Sequence, residues 1–178
     1  MEAAPPNTSR SHDADSVGYI RKVEEASLSV AALLELMRVV LDRGVPFRFR
    51  APGFSMFPFV RDGDVITVSR LPGGSPGLGR VVAFVHPGTA KLVVHRVVGK
   101  EAGSCVTRGD STTEADGFAA REAILGYVTR VERDGRSVSI GLGVERLAIA
   151  LLSRRGLLAP LVWLLGRLAG AFAGRAAT

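Results

Sequence analysis

Four residues in the middle of the chain have the side-chain types that acyl transfer requires: Ser55, His95, Asp110 and Asp116. A serine hydroxyl is a weak nucleophile until a neighbouring base takes its proton, and an imidazole can do so near neutral pH. A carboxylate can then fix the tautomer of the imidazole and stabilise the imidazolium. Gly53 precedes the serine by two residues and leaves space for a substrate carbonyl, whose oxyanion nearby backbone N–H groups could bind. These residue types indicate a candidate serine-nucleophile site.

Short strands are predicted to position these residues, because β-branched and alternating apolar residues occur in runs that are bounded by Gly and Pro. The predicted strands are residues 47–50, 64–68, 80–85, 91–98, 124–133 and 137–140. Residues 86–89 have the composition of a turn, so the third and fourth strands are expected to form a hairpin. Residues 109–123, which hold both aspartates, are predicted to be irregular. The sequence therefore predicts a mainly β domain over residues 45–140.

Three other segments flank this domain. Residues 1–16 are polar and are predicted to be disordered, and residues 17–44 are predicted to form an amphipathic helix with its clearest stripe over 27–43. Residues 141–178 form an apolar helical tail, in which residues 156–174 are almost wholly apolar. About 20 such residues span a bilayer. This stretch is therefore expected to span a membrane or to lie on one, and the alternative is a helix packed on the β domain or on a partner.

Composition and charge narrow the possible partners. The chain has 178 residues, a net charge of +6 and a pI of about 10.4. The tail holds five arginines against one glutamate, which favours a membrane surface over nucleic acid, and no nucleic-acid motif is present. A single cysteine, Cys105, excludes an intramolecular disulfide framework, and three histidines leave little material for a metal site. We expect no metal, no cofactor and a membrane-associated chain, with a soluble cytoplasmic form as the alternative.

Five short motifs occur in an order that resembles the signal peptidase I clan. They are Gly53 to Pro58 (Gly-Phe-Ser-Met-Phe-Pro), Gly63-Asp64, the strand at 80–84, His95 to Gly99, and Thr107 to Asp110. The clan carries a G-x-S-M-x-P box, a Gly-Asp pair, an apolar strand, a K-R-V-V or H-R-V-V box and a closing Gly-Asp box. The resemblance covers about residues 46–132 and implies a compact, mainly β, partly barrel-like catalytic domain.

The same resemblance implies roles for the candidate residues. Most bacterial members use a lysine base, whereas His95 stands here in the matching position, as in the endoplasmic-reticulum and archaeal branch, which uses Ser, His and Asp. Ser55 is then the nucleophile and His95 the general base. Asp116 is the first choice for orienting His95, and Asp110 is the other candidate. Members often have a serine where this chain has Gly53, so the oxyanion hole here would rest on backbone donors.

The resemblance also implies a substrate class. In clan proteins the residues around the serine box form shallow apolar pockets, and the corresponding residues here are Gly53, Phe54, Met56 and Pro58. We therefore expect a signal-peptidase-like serine endopeptidase that cleaves a leader peptide or preprotein near a membrane through an acyl-enzyme. Two alternatives stay open. One is a non-catalytic peptide-binding module of the same fold, and the other is a soluble self-cleaving regulator resembling the SOS-repressor peptidases.

Overall fold

An open antiparallel β-sheet dominates residues 29–164, which are the residues that the computed structural model describes. The strands are β1 (Phe47–Arg50), β2 (Val65–Ser69), β3 (Val81–Val85), β4 (Leu92–Glu101), β5 (Ser104–Arg108), β6 (Gly117–Ala119), β7 (Ile124–Arg133) and β8 (Arg136–Val138). Seven strands lie in the order β1-β2-β7-β3-β4-β5-β6, and β8 pairs with β7. The mainly β class is confirmed. Among the described residues the sheet does not close, so the expected barrel-like arrangement is not observed there.

The strand predictions hold best where β-branched runs are long. β7 occupies the predicted residues 124–133, and β3 and β4 form the predicted hairpin, closed by a hydrogen bond from the His86 N–H to the Lys91 carbonyl at 2.9 Å. β5 and β6 were not predicted, and β6 corrects the expectation that residues 109–123 are wholly irregular. β6 has only three residues and begins at Gly117, so no alternation marks it in the sequence. Its pairing with β5 defines it.

A helix packs on one face of the sheet. Helix α1 spans Val30–Asp42; it begins where the Ser29 hydroxyl accepts a hydrogen bond from the Ala32 N–H at 3.2 Å, and Gly44 follows its end at a positive φ of 74°. Met37 and Leu41 are its buried residues, and they join a core formed mainly by β2, β3 and β7. The expected segments 1–16 and 17–28 lie outside the described residues.

Two short helices follow the sheet at the C-terminal end of the described residues. They are α2 (Arg146–Arg154) and α3 (Leu158–Leu164), and between them the chain bends by 106°. Gly156, at a φ of 72°, allows the bend, and its N–H donates to the Ser153 carbonyl at 2.9 Å. Within residues 29–164 neither helix alone is long and apolar enough to cross a bilayer; by length and composition only the bent pair together could. Residues 165–174 of the expected anchor lie outside the described residues.

Candidate active site

The loop between β1 and β2 carries Ser55 and is closed tightly at its base. The Ala51 N–H donates to the Asp64 carbonyl at 2.8 Å, and the Gly63 N–H returns a hydrogen bond to the Ala51 carbonyl at 2.9 Å. Directly after Ser55 the chain makes a helical turn in which the Val60 N–H donates to the Met56 carbonyl at 3.0 Å. Met56 and Val60 are both buried in the core beneath the loop. These two apolar anchors therefore hold the turn that follows Ser55 against the core.

His95 reaches the serine from the interior of the sheet. It lies on β4 opposite Val82 of β3, and its ring is only slightly exposed. Its Nε2 atom is 2.9 Å from the Ser55 Oγ atom, which is a hydrogen-bonding distance. The Phe84 ring lies 6.4 Å from the imidazole, centroid to centroid, and helps to restrict its orientation. A rigid strand thus presents the imidazole to the serine hydroxyl.

The carboxylate on the other side of His95 belongs to Asp116. Its Oδ2 atom is 2.5 Å from the His95 Nδ1 atom. The backbone holds Asp116 in place, because its N–H donates to the Thr107 carbonyl of β5 at 2.9 Å. A carboxylate accepts only, so Nδ1 is the protonated nitrogen and Nε2 is left free to accept the Ser55 proton. The three residues form a hydrogen-bonded chain in the order that proton transfer from a serine requires.

Asp110 does not join this chain. It forms an ion pair with Arg96, the residue after His95 on β4, whose Nε and Nη2 atoms donate to its two oxygens at 2.8 and 2.6 Å. Both side chains are 0% exposed. Arg96 Nη1 also donates to the carbonyls of Gly79 and Gly141, at 2.9 and 2.8 Å. Burial raises the pKa of Asp110, and the hydrogen bonds and charge of Arg96 act against that rise. Asp110 therefore stabilises the fold behind the site.

Gly109 lies where the serine loop meets the aspartate segment. The Ser111 N–H donates to the Ser55 carbonyl at 2.9 Å. A Cβ atom on Gly109 would lie 2.6 Å from the Ser55 carbonyl oxygen and 3.1 Å from the His95 Nε2 atom. No side chain fits there without displacing one of the two residues. Glycine is therefore required at position 109 for the serine and the histidine to meet.

A cleft of about 390 Å³ opens beside Ser55 and His95. Its walls come from four elements: α1, the end of β1, the serine loop and the first half of β4. Most of its lining is apolar, with Arg50 and Lys91 as the cationic residues, and no acidic residue lines it among the described residues. The site thus combines a polar hydrogen-bonded chain with an adjoining apolar recess, which is the usual composition of a ligand-binding cleft.

The predicted substrate contacts divide into two groups. Gly53 and Met56 line the cleft together with Ser55 and His95, whereas Phe54 and Pro58 do not. Phe54 is 68% exposed. Sequence reasoning did not identify Val30, Leu33, Leu92 and Val94 as cleft residues. Their apolar spacing marks them only as helix or strand residues, and the tertiary packing of α1 against the sheet brings them to the cleft.

A second ion pair secures the base of the serine loop. Both oxygens of Asp64 accept from the Arg133 guanidinium, at 2.9 and 2.7 Å, and one also accepts from the Arg61 N–H at 2.8 Å. Burial acts to raise the pKa of Asp64, but the hydrogen bonds from Arg133 and Arg61 and their charges hold this pKa below its ordinary value. The carboxylate of the Gly63-Asp64 motif therefore ties β7 to the serine loop.

Comparison with known proteins assigns no family to the chain. No protein-family model matches it, and no curated protein matches it. The chemical interpretation of the site therefore depends on its geometry and on the short motifs that carry the resemblance.

Proposed function

We propose that this protein is a signal-peptidase-like serine endopeptidase that cleaves an extended leader peptide or preprotein through an acyl-enzyme. The observation that carries the proposal is the hydrogen-bonded chain from Ser55 through His95 to Asp116, with distances of 2.9 and 2.5 Å, beside an apolar cleft. Each residue has the chemical type that its position in such a chain needs.

The shape of the cleft supports a peptide substrate in an extended conformation. The segment Leu92 to Val94 pairs with β3 on one side, and pairing with β5 begins only at Arg96. The cleft is also lined by the end of β1, which pairs only with β2 among the described residues. Unpaired strand edges present backbone N–H and C=O groups that an added strand can satisfy. A polypeptide that enters the cleft can therefore hydrogen-bond to a strand edge beside Ser55.

Backbone groups near Ser55 support an oxyanion-binding role. The Ser55 N–H has no hydrogen-bond acceptor among the described residues. Gly53 has a φ of 87°, and a Cβ atom added there would meet no atom within 4 Å. The space at Gly53, which lines the same cleft as Ser55, is therefore open, and the Ser55 N–H is a donor near it for a carbonyl oxygen.

The proposed reaction follows from this arrangement. The Ser55 Oγ atom bonds to the scissile carbonyl carbon while its proton passes to His95 Nε2. The C–N bond then breaks as Nε2 gives that proton to the leaving amine. A water molecule, deprotonated by the same nitrogen, attacks the ester carbon, and the proton returns to Ser55 as the acid product leaves. Asp116 stabilises the imidazolium in both halves of the reaction.

The test is cleavage of a model leader peptide with small residues before the scissile bond, measured in detergent from pH 5 to pH 9. We expect Ser55→Ala and His95→Ala each to lower kcat by roughly 10⁴-fold or more. Where catalytic residues act as a unit, removal of any one of them abolishes most of the rate enhancement. The matched controls are Ser137→Ala on β8 and His86→Ala at the β3–β4 turn, which make the same chemical changes outside the chain of hydrogen bonds. Both controls should keep wild-type activity.

The same experiment separates the alternatives. We expect wild-type activity to fall on the acid side, because a protonated His95 cannot accept the serine proton. A folded wild-type protein that binds peptides but cleaves none, with binding unchanged in Ser55→Ala, would instead identify a non-catalytic peptide-binding module. Cleavage that survives His95→Ala would refute the proposed base.

A further inference from the structure

The two C-terminal helices leave apolar side chains exposed in a regular pattern. Leu147 and Leu151 are exposed at a spacing of four residues, which places them on one face of α2, and Val144 is exposed in the turn just before the helix. Val144 is 86% exposed. The opposite face of α2 is occupied, because Ile149, Ala150 and Ser153 are buried. The exposed face is therefore distinct from the face that packs on the sheet.

Helix α3 also leaves aliphatic side chains exposed after the bend. Leu157, at the residue before the helix, and Leu161 and Leu164 within it are exposed at helical spacing, whereas Leu158 is buried. Trp163 is 62% exposed. We call the six exposed aliphatic residues of this region the C-terminal apolar surface: Val144, Leu147, Leu151, Leu157, Leu161 and Leu164.

Positive charge adjoins the C-terminal apolar surface. Arg154 and Arg155 are exposed at the bend between α2 and α3. Arg154 also lines a cavity of about 240 Å³ together with Lys100 and Arg108, where Glu101 is the acidic residue. Residues 146–164 contain no Asp or Glu. A surface that joins apolar side chains to cations matches the headgroup and acyl boundary of an anionic bilayer.

We propose that the C-terminal apolar surface binds to the surface of an anionic lipid bilayer, with α2 and α3 lying in the interface and Arg154 and Arg155 contacting lipid headgroups. Within residues 29–164, neither helix alone is long enough to cross the hydrocarbon core. A twofold dimer through this surface would bring the same arginine pair of each copy close together, which disfavours a second copy of the chain as the occupant. The lipid proposal does not rest on the proposed peptidase activity.

The test uses the full chain with vesicles of phosphatidylcholine, with and without about 30% phosphatidylglycerol. Trp163 is the single tryptophan of the chain, so its emission reports on the α3 region directly. We expect binding to the anionic vesicles and a blue shift of the emission, with much weaker binding to pure phosphatidylcholine. The Ser55→Ala variant should bind like wild type, which separates this result from any result on peptide cleavage.

Substitutions locate the binding surface. The double variant Leu147→Asp and Leu151→Asp should lower the partition coefficient by roughly tenfold or more for each residue, because each leucine loses its burial in lipid. Leu36→Asp is the matched control, since Leu36 is exposed on α1. Circular dichroism and the thermal transition check that each variant folds. If the double variant does not fold, Val144→Asp replaces it, because Val144 is the most exposed of the six residues, at 86%.

The arginines give a separate readout. Arg154→Gln and Arg155→Gln should each weaken binding to anionic vesicles by about fivefold and should leave the weak binding to phosphatidylcholine unchanged. Three results would overturn the proposal: no vesicle binding by folded wild type, equal loss in Leu36→Asp and in the double variant, or vesicle binding that the double variant retains. Self-association that the double variant abolishes and that vesicles do not compete with would assign the surface to a second copy of the chain.

Discussion

Substitution of the two aspartates near His95 should affect two different properties: catalysis for Asp116 and stability for Asp110. Asp116→Asn keeps the size of the side chain but can present an amide N–H to His95 Nδ1. The histidine then carries its proton on Nε2 and cannot accept the Ser55 proton. We expect kcat to fall by about 10⁴-fold. The free energy of unfolding should change by no more than about 1 kcal/mol, which is the usual net value of one hydrogen bond.

Asp110→Ala removes the partner of a buried arginine instead. Both side chains of the Arg96–Asp110 pair are 0% exposed, and the two hydrogen bonds between them measure 2.8 and 2.6 Å. An arginine left without its counter-ion in such a place costs about 3–5 kcal/mol. For a chain of this size, that loss lowers Tm by about 6–20 °C. The protein that still folds at low temperature should keep much of its activity, because the Ser55–His95–Asp116 chain does not include Asp110.

Two assays measure these effects side by side. Thermal unfolding gives the Tm of each variant, and peptide cleavage at a temperature below the Tm of the less stable variant gives kcat. The Asp110→Ala variant should show a large loss of Tm, and the Asp116→Asn variant a large loss of kcat. If Asp110→Ala abolishes cleavage while Tm is unchanged, or if Asp116→Asn cleaves like wild type, the assignment of roles to the two aspartates is wrong.

Two further predictions concern the serine loop. Gly109→Ala places a Cβ atom 2.6 Å from the Ser55 carbonyl oxygen and 3.1 Å from His95 Nε2. We expect kcat to fall by about 100-fold or more, because a shift of about an ångström between reacting groups has an effect of this size. Wild-type kinetics in this variant would contradict the described contact. The pKa of Asp64 is lowered in the folded state, so its contribution to stability is present above the ordinary aspartate value of 3.8 and is lost as pH falls through the lower folded value. Urea unfolding of Asp64→Asn should therefore show a free energy of unfolding that is lower by about 1–3 kcal/mol at neutral pH, because the bonds to Arg133 are weakened. Below about pH 4 the free energy of unfolding of this variant should depend less on pH than that of wild type. Parallel pH curves for the two proteins would contradict this prediction.

Local patterns were sufficient to predict the strands that form the middle of the sheet. β3, β4 and β7 are rich in β-branched residues, and the Pro-Gly turn at 87–88 marks the hairpin between the first two. β6 could not be predicted in this way, because three residues beginning with Gly117 show no alternation and are defined by partners on β5. The open edges of the sheet also depend on which strands pair, and the pattern within a single strand does not contain that information.

The candidate site was predictable by residue type, but its neighbourhood was not. Ser55, His95 and Asp116 could be selected because their chemistry and their motifs are distinctive. The place of Asp110 beside a buried arginine depends on how the two faces of β4 are covered, since His95 and Arg96 point to opposite sides of the strand. The role of Gly109 depends on a close approach between two loops, which no spacing in the sequence records.

The alternation of side chains on β4 also connects the site to the C-terminal helices. His95 faces Ser55, whereas Arg96 donates to the Gly141 carbonyl just before α2. Arg108, at the end of β5, donates to the Ser153 carbonyl near the end of α2. The helix and the loop before it are therefore hydrogen-bonded to the two strands that hold His95 and position Asp116. A bilayer bound to the C-terminal apolar surface would fix the direction in which the cleft faces. Arg108→Leu removes the hydrogen bond to α2, so it should loosen the link between the helix and the strands while leaving the Ser55–His95 contact intact. In vesicle-bound protein, this variant should cleave a membrane-tethered leader peptide more slowly than wild type does, and a free peptide at the wild-type rate. If the variant cleaves both peptides at the wild-type rate, α2 does not orient the site.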